Sequence, residues 1–393
     1  MLSKISSLQK MVIGLLILLL LCFPKGGIKY HSLPMTWGYL CLCIVFAVCL
    51  LIRPLVMERQ AIYCLLGLLP FQIISGITFC VSGILYAADA FSYIMHFVLI
   101  PLGCLGILPR YIHTSTREYI FKGIRRGVFF IALYGIFLFG YKIVTGSFLE
   151  IPFLTVNYHD LHQLGESKCN DRGVFFKLIS TYNNGNLYGI CVLMLLPLYS
   201  VLEKTIWKVW VVKGSLLLTL SRTIWLGLIA YEFLKKLVVK EGMFAKSSKI
   251  LMSLGGIALG FTILLHYIPF PSEFLFDRFL GNRIGQLEVL KHIEWFSSEP
   301  FRGVYEVVYL GILFSFGIVG LVAFLLAMLF PLGLYALQPT SSVEGTHIAL
   351  GLFLYLLVAC SDGALLLLPV MCFYWCLVML LVTEEKKTQI IDN

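Results

Sequence analysis

The sequence is poor in charged residues. Asp, Glu, Lys and Arg make up 13% of its 393 residues, whereas 59% of the residues are hydrophobic. A soluble globular domain carries about 25% charged residues. Because the polar surface of one water-soluble globule could not cover so many apolar side chains, this composition excludes a soluble protein. Together with a mean hydropathy of +0.91, it predicts an integral membrane protein that crosses the bilayer many times.

The sequence also lacks the short motifs that bind nucleotides and catalytic metals. It contains no G-x-x-x-x-G-K-[ST], H-E-x-x-H or G-x-S-x-G pattern, so nothing supports an ATPase, a zinc protease or a serine hydrolase. It has no C-x-x-C pair, and no D-x-D pair that could hold a metal on a nucleotide sugar. Eleven of its twelve cysteines lie in apolar runs and are expected to be small core residues. We therefore expect no cofactor and no metal.

Apolar windows long enough to cross about 30 Å of hydrocarbon predict about twelve transmembrane helices. The approximate limits of these spans are residues 8–24, 35–52, 61–82, 90–109, 124–144, 181–201, 205–220, 223–239, 250–268, 306–330, 345–361 and 364–382. The predicted fold is therefore an all-α polytopic membrane protein. Residues 1–393 are expected to form a single membrane domain.

Basic residues concentrate in two of the connections between these spans. Each connection holds five Lys or Arg residues, and cytoplasmic loops of membrane proteins are enriched in both residue types. They are Arg110, Arg117, Lys122, Arg125 and Arg126 in the first, and Lys235, Lys236, Lys240, Lys246 and Lys249 in the second. This pattern predicts that both termini are cytoplasmic. It also explains the net charge of +9 without a nucleic-acid partner.

Two other connections are much longer than the rest, and the predicted topology places both on the periplasmic side. They run over residues 145–180 and 269–305. Loops that are enlarged on one face of a protein commonly carry its function. We therefore expect the protein to act at the outer leaflet of the lipid bilayer.

The first large loop concentrates polar and ionisable side chains. It includes His159, Asp160 and Arg172, and it leads into Asn183 and Asn186 at the start of the sixth predicted span. The asparagines indicate either a substrate-binding site or simple capping of the helix, because Asn is favoured at helix N-caps. Charges in a solvated loop need no function, so both interpretations stay open.

Arg222 stands where the apolar run of the seventh predicted span gives way to the eighth. An arginine at this depth is costly unless it is solvated or paired. A cation at the start of a helix also opposes the helix dipole. This conflict indicates a functional role, since a guanidinium group suits the binding of a phosphate or pyrophosphate.

The second large loop contains Arg278, Arg283 and Glu288, and Glu306 follows it. Between residues 283 and 296 apolar side chains recur at helical spacing, which predicts an amphipathic helix lying against the membrane or the bundle. Arg283 and Glu288 lie on neighbouring turns of this helix. That arrangement fits ordinary surface pairing as well as it fits catalysis.

Several local motifs follow one another along the chain. They are RGVFF at residues 172–176, NNGN at 183–186, SRT at 221–223, GNRIGQLEVLKHIEWFSSEPFRG at 281–303 and YLGILFSFGIVGLV at 309–322. With about twelve spans and two enlarged outer loops, this pattern resembles the O-antigen polymerase and O-antigen ligase superfamily. The resemblance covers local motifs from residue 145 to residue 321 and hydropathy alone in the remainder.

The resemblance implies an O-antigen polymerase, which is a glycosyltransferase of the bacterial inner membrane that needs neither metal nor nucleotide. Such an enzyme joins undecaprenyl-pyrophosphate-linked oligosaccharide repeat units into O-antigen or a related surface polysaccharide at the periplasmic face. The implied partners are the carrier-linked oligosaccharide, the lipid bilayer and a chain-length regulator protein. The leaving group is a lipid pyrophosphate, and arginines can stabilise its developing charge.

The resemblance also implies roles for particular residues. The expected catalytic residues are Arg172, Arg222, Arg283 and Glu306. The expected substrate-binding residues are Arg278, Asn183, Asn186, His159, Asp160 and Glu288. The arginines would contact the pyrophosphate, and the attacking sugar hydroxyl needs a base within hydrogen-bond reach. The candidates for that base are Glu306, Glu288, His159 and Asp160.

Two other functions remain as alternatives. An O-antigen ligase, which transfers the glycan to lipid A-core, typically has a His-Asn pair where this sequence reads YEVVYLG, with Glu306 and no histidine. A lipid-linked oligosaccharide flippase or transporter is expected to place charges along a central cavity. Few ionisable residues fall inside the predicted spans, among them Lys213, Glu232 and His96, and helix packing or snorkelling also accounts for these.

Overall fold

The structure is a computed structural model that describes residues 6–30, 33–52, 57–82, 87–165, 170–172, 175–238, 293–297, 306–338, 342–367 and 369–383. The fold is mostly helical. The α-helices in this part of the chain are α1 (Ser7–Ile17), α2 (Trp37–Ile52), α3 (Arg59–Ser82), α4 (Ala87–Ile94), α5 (Ile100–Leu102), α6 (Thr114–Thr145), α7 (Gly185–Leu202), α8 (Ile206–Leu217), α9 (Arg222–Val238), α10 (Val308–Ala336), α11 (Val343–Val358) and α12 (Val370–Val382). Wider π-helical turns occur at Leu18–Cys22, Met95–Leu99 and Gly103–Ile107.

Among the described residues, five helical stretches are long and apolar enough to cross a membrane. They are Arg59–Val81, Ala90–Tyr111, Thr114–Thr145, Gly185–Leu202 and Val308–Ala336. Shorter apolar stretches are Ser7–Cys22, Trp37–Ile52, Val343–Val358 and Val370–Val382. These helices agree with the predicted helical membrane protein. The predicted ninth span, residues 250–268, lies outside the described residues, and the total of twelve spans stays a prediction.

Helix α6 is longer than the predicted fifth span. It begins at Thr114, whereas the prediction began at residue 124, after a cluster of charges. In the structure, the guanidinium of Arg117 donates a hydrogen bond of 2.6 Å to the carbonyl of Leu380 and lies 5.0 Å from the centre of the Phe121 ring. Because a long basic side chain can find such partners beyond an apolar span, the helix continues past the predicted membrane span.

Short antiparallel hairpins in two loops depart from the all-α prediction. The paired strands are β1 (Gly27–Tyr30) with β2 (Leu33–Thr36), and β3 (Asp171–Arg172) with β4 (Phe175–Phe176). Gly27 has a φ of 139°, and a Cβ atom there would lie 2.4 Å from the carbonyl oxygen of Met35. Glycine therefore permits the close pairing of the first hairpin. Strands of two to four residues are too short to show an alternating pattern in the sequence.

The stretch that contains α4 and α5 is held in the bundle by polar side chains from its neighbours. A π-helical turn displaces carbonyl groups from the regular helical ladder. Gln72 donates a hydrogen bond of 2.6 Å to the carbonyl of Phe97, and the indole of Trp375 donates one of 2.9 Å to the carbonyl of His96. The buried His96 ring contacts the Tyr39 hydroxyl. This histidine therefore takes part in the packing of α2, α4 and α12.

Helix α10 contains a break that brings part of the second large loop against it. Gly317 has a φ of 72°, and the next two amides, of Ile318 and Val319, donate to the carbonyls of Glu294 and Trp295 at 3.0 and 3.2 Å. A Cβ atom on Gly317 would lie 2.4 Å from the Trp295 carbonyl oxygen. A glycine is therefore needed both for the backbone angle and for the close approach.

Helix α7 lies in the middle of the bundle. It packs against α6, α8, α9, α11 and α12, and 78% of its apolar window is buried. This position places Gly185, its first residue, at the centre of one end of the bundle, and Leu202, its last, at the opposite end. We call the first the loop end, because the connection of residues 146–184 leads into α7 there.

Candidate functional site

Several chain segments meet around the first turn of α7 at the loop end. The start of α10 is joined to the segment after α11, because the amide of Val308 donates to the carbonyl of Ala359 at 3.2 Å. The amide of Gly363 donates to the carbonyl of Glu306, also at 3.2 Å. Helix α9 starts at the same end, with Arg222. The loop end therefore brings together residues that are far apart in the sequence.

The first turn of α7 is capped by an asparagine. The side-chain oxygen of Asn184 accepts hydrogen bonds from the amides of Asn186 and Leu187 at 2.9 and 3.1 Å. The preceding Asn183 has a φ of 60°, a left-handed conformation that Asn tolerates better than most residues. The predicted capping at this sequence is confirmed, with Asn184 as the cap. The side-chain amide of Asn186 takes no part in this cap.

Asn186 links a buried cation to a buried carboxylate. The ammonium of Lys177 donates to Asn186 Oδ1 at 3.2 Å, and Asn186 Nδ2 donates to Asp362 Oδ2 at 2.6 Å. Lys177 is 2% exposed and Asp362 is 5% exposed. Buried charges are costly unless they are paired and hydrogen-bonded. The two hydrogen bonds also fix the orientation of the amide, because its oxygen faces the cation and its nitrogen faces the carboxylate.

A second polar contact connects this group to the start of α9. The hydroxyls of Thr223 and Ser361 lie 3.0 Å apart, and Thr223 is buried. Thr223 directly follows Arg222, and Ser361 directly precedes Asp362. The half-buried Arg222 and the carboxylate of Asp362 therefore belong to segments that one hydrogen bond holds in register. We call Lys177, Asn186, Thr223, Ser361 and Asp362 the loop-end cluster.

Asn170 fixes the position of Lys177 within this cluster. Its side-chain nitrogen donates to the carbonyls of Leu164 and Asn183 at 2.6 and 2.9 Å, and its side-chain oxygen accepts from the amide of Gly185 at 3.3 Å. Its own carbonyl accepts from the amide of Lys177 at 2.9 Å. The fully buried Asn170 thus ties the end of the first large loop to the first turn of α7.

Gly185 allows Lys177 to lie directly against α7. A Cβ atom on Gly185 would lie 2.7 Å from Lys177 Cβ and 3.0 Å from the carbonyl oxygen of Leu178. Since real side chains do not approach so closely, a larger residue would push the loop away from the helix. The sequence NNGN therefore combines a cap, a close contact and a hydrogen-bonding amide.

The predicted residues His159 and Asp160 lie in a different part of the first large loop. They belong to a short 3-10 turn, in which the Asn157 side-chain oxygen accepts from both of their amides, at 3.0 and 3.1 Å. The Asn157 side-chain nitrogen donates to Asp160 Oδ2 at 2.7 Å. His159 is exposed. The structure shows a capped turn here, so a substrate-binding role for these two residues stays a prediction.

The remaining predicted residues divide into two groups. Arg172 lies in β3, where it pairs with Phe175, and the exposed Glu306 lies before α10. The Glu306 carbonyl, which accepts from Gly363, brings that residue next to Asp362 in space. The predicted residues outside the described part of the chain are Arg278, Arg283 and Glu288.

Asp362, Ser361 and Asn170 were missed by the sequence analysis. Asp362 is the one acidic residue between Glu344 and Glu384, and an isolated acid in so apolar a stretch was an available signal. Its partner Asn186 lies 176 residues away, so no local pattern could have joined them. Lys177 was visible only as one charge among many in a polar loop.

Comparisons with known proteins do not assign the chain to a family. No family model, no curated protein and no solved structure matches it. Among the described residues, no group of three or more His, Cys, Asp or Glu side chains could hold a metal ion. The interpretation of the loop-end cluster therefore depends on its own geometry.

Proposed function

We propose that this protein is a membrane glycosyltransferase that polymerises undecaprenyl-pyrophosphate-linked oligosaccharide repeat units into O-antigen or a related surface polysaccharide. The observation that carries the proposal is the loop-end cluster beside Arg222. There Asn186 joins a buried ammonium to a buried carboxylate, and the half-buried Arg222 begins α9 next to Thr223, which contacts Ser361. An arrangement of this kind suits group transfer more than transport, because its charged groups lie at the end of the helices.

The leaving group of such a reaction explains the need for Arg222. When the bond between the sugar and the lipid pyrophosphate breaks, negative charge develops on the departing oxygen. A guanidinium that is already positioned stabilises this charge through directed hydrogen bonds. The start of α9 is a poor place for a cation on helix-dipole grounds. We therefore assign to Arg222 the contact with the pyrophosphate.

The position of the site at the end of the bundle suits a lipid-linked substrate. The carrier's hydrocarbon chain remains in the bilayer, while its pyrophosphate and sugars lie at the membrane surface. The opposite end of α7 carries the basic residues Arg125, Lys204 and Lys208 near Glu203. By the enrichment of cytoplasmic loops in Lys and Arg, the loop end is periplasmic and both termini are cytoplasmic.

The alternative of a flippase finds little support in the charges of the described spans. Lys213 of α8 donates to the carboxylate of Glu232 in α9, and its ammonium lies 4.9 Å from the centre of the Trp210 ring. The two charges neutralise each other across one helix contact. A paired and packed ion pair of this kind is explained by helix association and does not require a transport pathway.

Deletion of the gene in its native host tests the proposal. We expect the ladder of surface lipopolysaccharide to collapse to core plus one repeat unit, and we expect the intact gene to restore it. Arg222→Ala should fail to restore it, whereas Trp210→Phe, at an exposed position, should restore it fully. Accumulation of long carrier-linked chains without transfer to core would instead identify a ligase. Undecorated core without such chains would identify a flippase, and an unchanged ladder would exclude all three functions.

A further inference from the structure

The carboxylate of Asp362 lies in a tightly defined place between α7, α9 and α10. Its own amide donates to the carbonyl of Val358 at 2.9 Å, which continues the end of α11 by one turn. The next residue, Gly363, is bonded to Glu306 before α10. Asn186 of α7 donates to the carboxylate itself. Two of these hydrogen bonds fix the backbone at Asp362, and the third fixes its carboxylate. A residue that acts directly on a substrate needs a fixed position of this kind.

Asp362 also stands in register with the cation that we assign to the leaving group. The hydrogen bond between Ser361 and Thr223 joins the residue before Asp362 to the residue after Arg222. In a transfer reaction the base and the group that stabilises the leaving oxygen must flank one reacting centre. This contact joins the two segments that carry Arg222 and Asp362, which are far apart in the sequence.

The other described carboxylates near the large loops fit this role less well. Asp160 is held by Asn157 within its own turn. Glu150 accepts from the amide of His162 at 2.7 Å. Glu306 and Glu294 are exposed to solvent. Among the acids that the structure describes, Asp362 alone combines burial with a hydrogen bond inside the loop-end cluster.

We infer that Asp362 is the general base of the polymerisation, held in place by Asn186, on a segment that the Ser361–Thr223 contact joins to that of Arg222. The inference rests on the proposed function. In the step, the hydroxyl oxygen of the incoming sugar forms a bond to the anomeric carbon of the carrier-linked chain. The bond from that carbon to the pyrophosphate oxygen breaks, and its electron pair leaves with the lipid pyrophosphate. The hydroxyl proton passes to Asp362.

Asn186 is a positioning residue in this scheme. Its nitrogen donates to Asp362 and its oxygen accepts from Lys177. The buried ammonium of Lys177 therefore anchors the amide, and the amide in turn orients the carboxylate of Asp362.

The test is the rate of chain extension by the purified full-length protein in lipid nanodiscs. The substrate is the carrier-linked repeat unit extracted from a host strain that lacks this gene. We expect Asp362→Asn to lower the rate per folded molecule about 10²- to 10⁴-fold at unchanged membrane abundance. Wild-type extension should fall at acid pH as the base becomes protonated, and the residual rate of Asp362→Asn should lack this fall.

Asp362→Glu keeps the carboxylate and covers the case in which Asp362→Asn does not fold. We expect a reduced rate that still falls at acid pH, whereas a rate that is flat on the acid side would overturn the assignment. Wild-type extension by Asp362→Asn would overturn it as well. In both of these outcomes the wild type still extends chains, and the proposed function stands. If the wild-type protein extends no chain and the deletion strain keeps its ladder, the proposed function fails and this inference fails with it.

Discussion

The two ends of α7 both hold a buried carboxylate near cations, but they hold it differently. At the far end, Glu203 follows the helix and lies 4.0 Å from Arg125 and 3.8 Å from Lys208, with its carboxylate also bound by the amide of Thr205 at 3.0 Å. At the loop end, the amide of Asn186 stands between the Lys177 ammonium and the Asp362 carboxylate.

The difference separates a structural site from a candidate catalytic one. The contacts at Glu203 close a helix end: Arg125 also donates to the carbonyl of Leu202 at 3.4 Å, and direct ion pairs satisfy the charges. The loop-end cluster has two charged side chains among its five residues, and it joins the first large loop, α9 and the segment after α11. We therefore expect changes at the loop end to act on chain extension and changes at the far end to act on stability.

Substitution of Arg222 should have the largest effect. Arg222→Ala removes the cation that we propose contacts the leaving pyrophosphate, and we expect extension to fall at least about 10²- to 10³-fold. Arg222→Lys should recover only part of the rate, because a point charge cannot replace the planar guanidinium. The rate is measured with the carrier-linked repeat unit. Equal rates for wild type and Arg222→Ala would remove this residue from the mechanism.

Substitution of Asn186 should affect both extension and stability. Asn186→Leu keeps a similar size but leaves Lys177 and Asp362 without the amide between them. A hydrogen bond to a charged group contributes about 1.5–3 kcal/mol, so we expect a lower thermal midpoint together with a loss of extension. Tyr188→Phe, two residues further along α7, removes a buried hydroxyl contact to Ser215 and serves as the matched control. It should lower stability and leave the rate per folded molecule unchanged.

Gly185→Ala should have an intermediate effect that reports on the position of Lys177. The added methyl group would meet Lys177 Cβ at 2.7 Å, and such overpacking typically costs about 1–3 kcal/mol. We expect a lower thermal midpoint and a reduced rate. Gly140→Ala in α6 is the control, because nothing lies within 4 Å of the added Cβ atom there. The same loss in both variants would show that the close contact is unimportant.

Glu203→Gln should have the smallest effect, and on stability alone. Burial raises the pKa of Glu203, but the hydrogen bonds from Thr205 and the charges of Lys208 and Arg125 outweigh it and bring the pKa below its ordinary value of 4.5. A lowered folded-state pKa means that the carboxylate stabilises the fold above the ordinary value, and that this stabilisation disappears as the pH falls through the lowered one.

We therefore expect Glu203→Gln to lower stability at neutral pH by about 1 kcal/mol or less. The difference from wild type should vanish in thermal unfolding measured at acid pH. A difference that grows on acidification would contradict this account of Glu203.

The sequence predicted much of the helical architecture and a few residues of the site, but not its assembly. The cap at NNGN and the arginine at the start of α9 were visible, because both depend on a few neighbouring residues. Asp362 was not, since its role depends on Asn186, 176 residues away. Helix α6 begins ten residues before the predicted span, and the contact of Arg117 with Leu380 near its start is one that no local pattern could show.

The most direct test of the account measures extension rate per folded molecule and thermal midpoint in two variants, one at each end of α7. Arg222→Ala should lose extension with an unchanged midpoint, and Glu203→Gln should lose part of its stability with an unchanged rate. If both variants lose extension only in proportion to their loss of stability, the two ends of α7 do not differ in function and the assignment of the chemistry to the loop end is wrong.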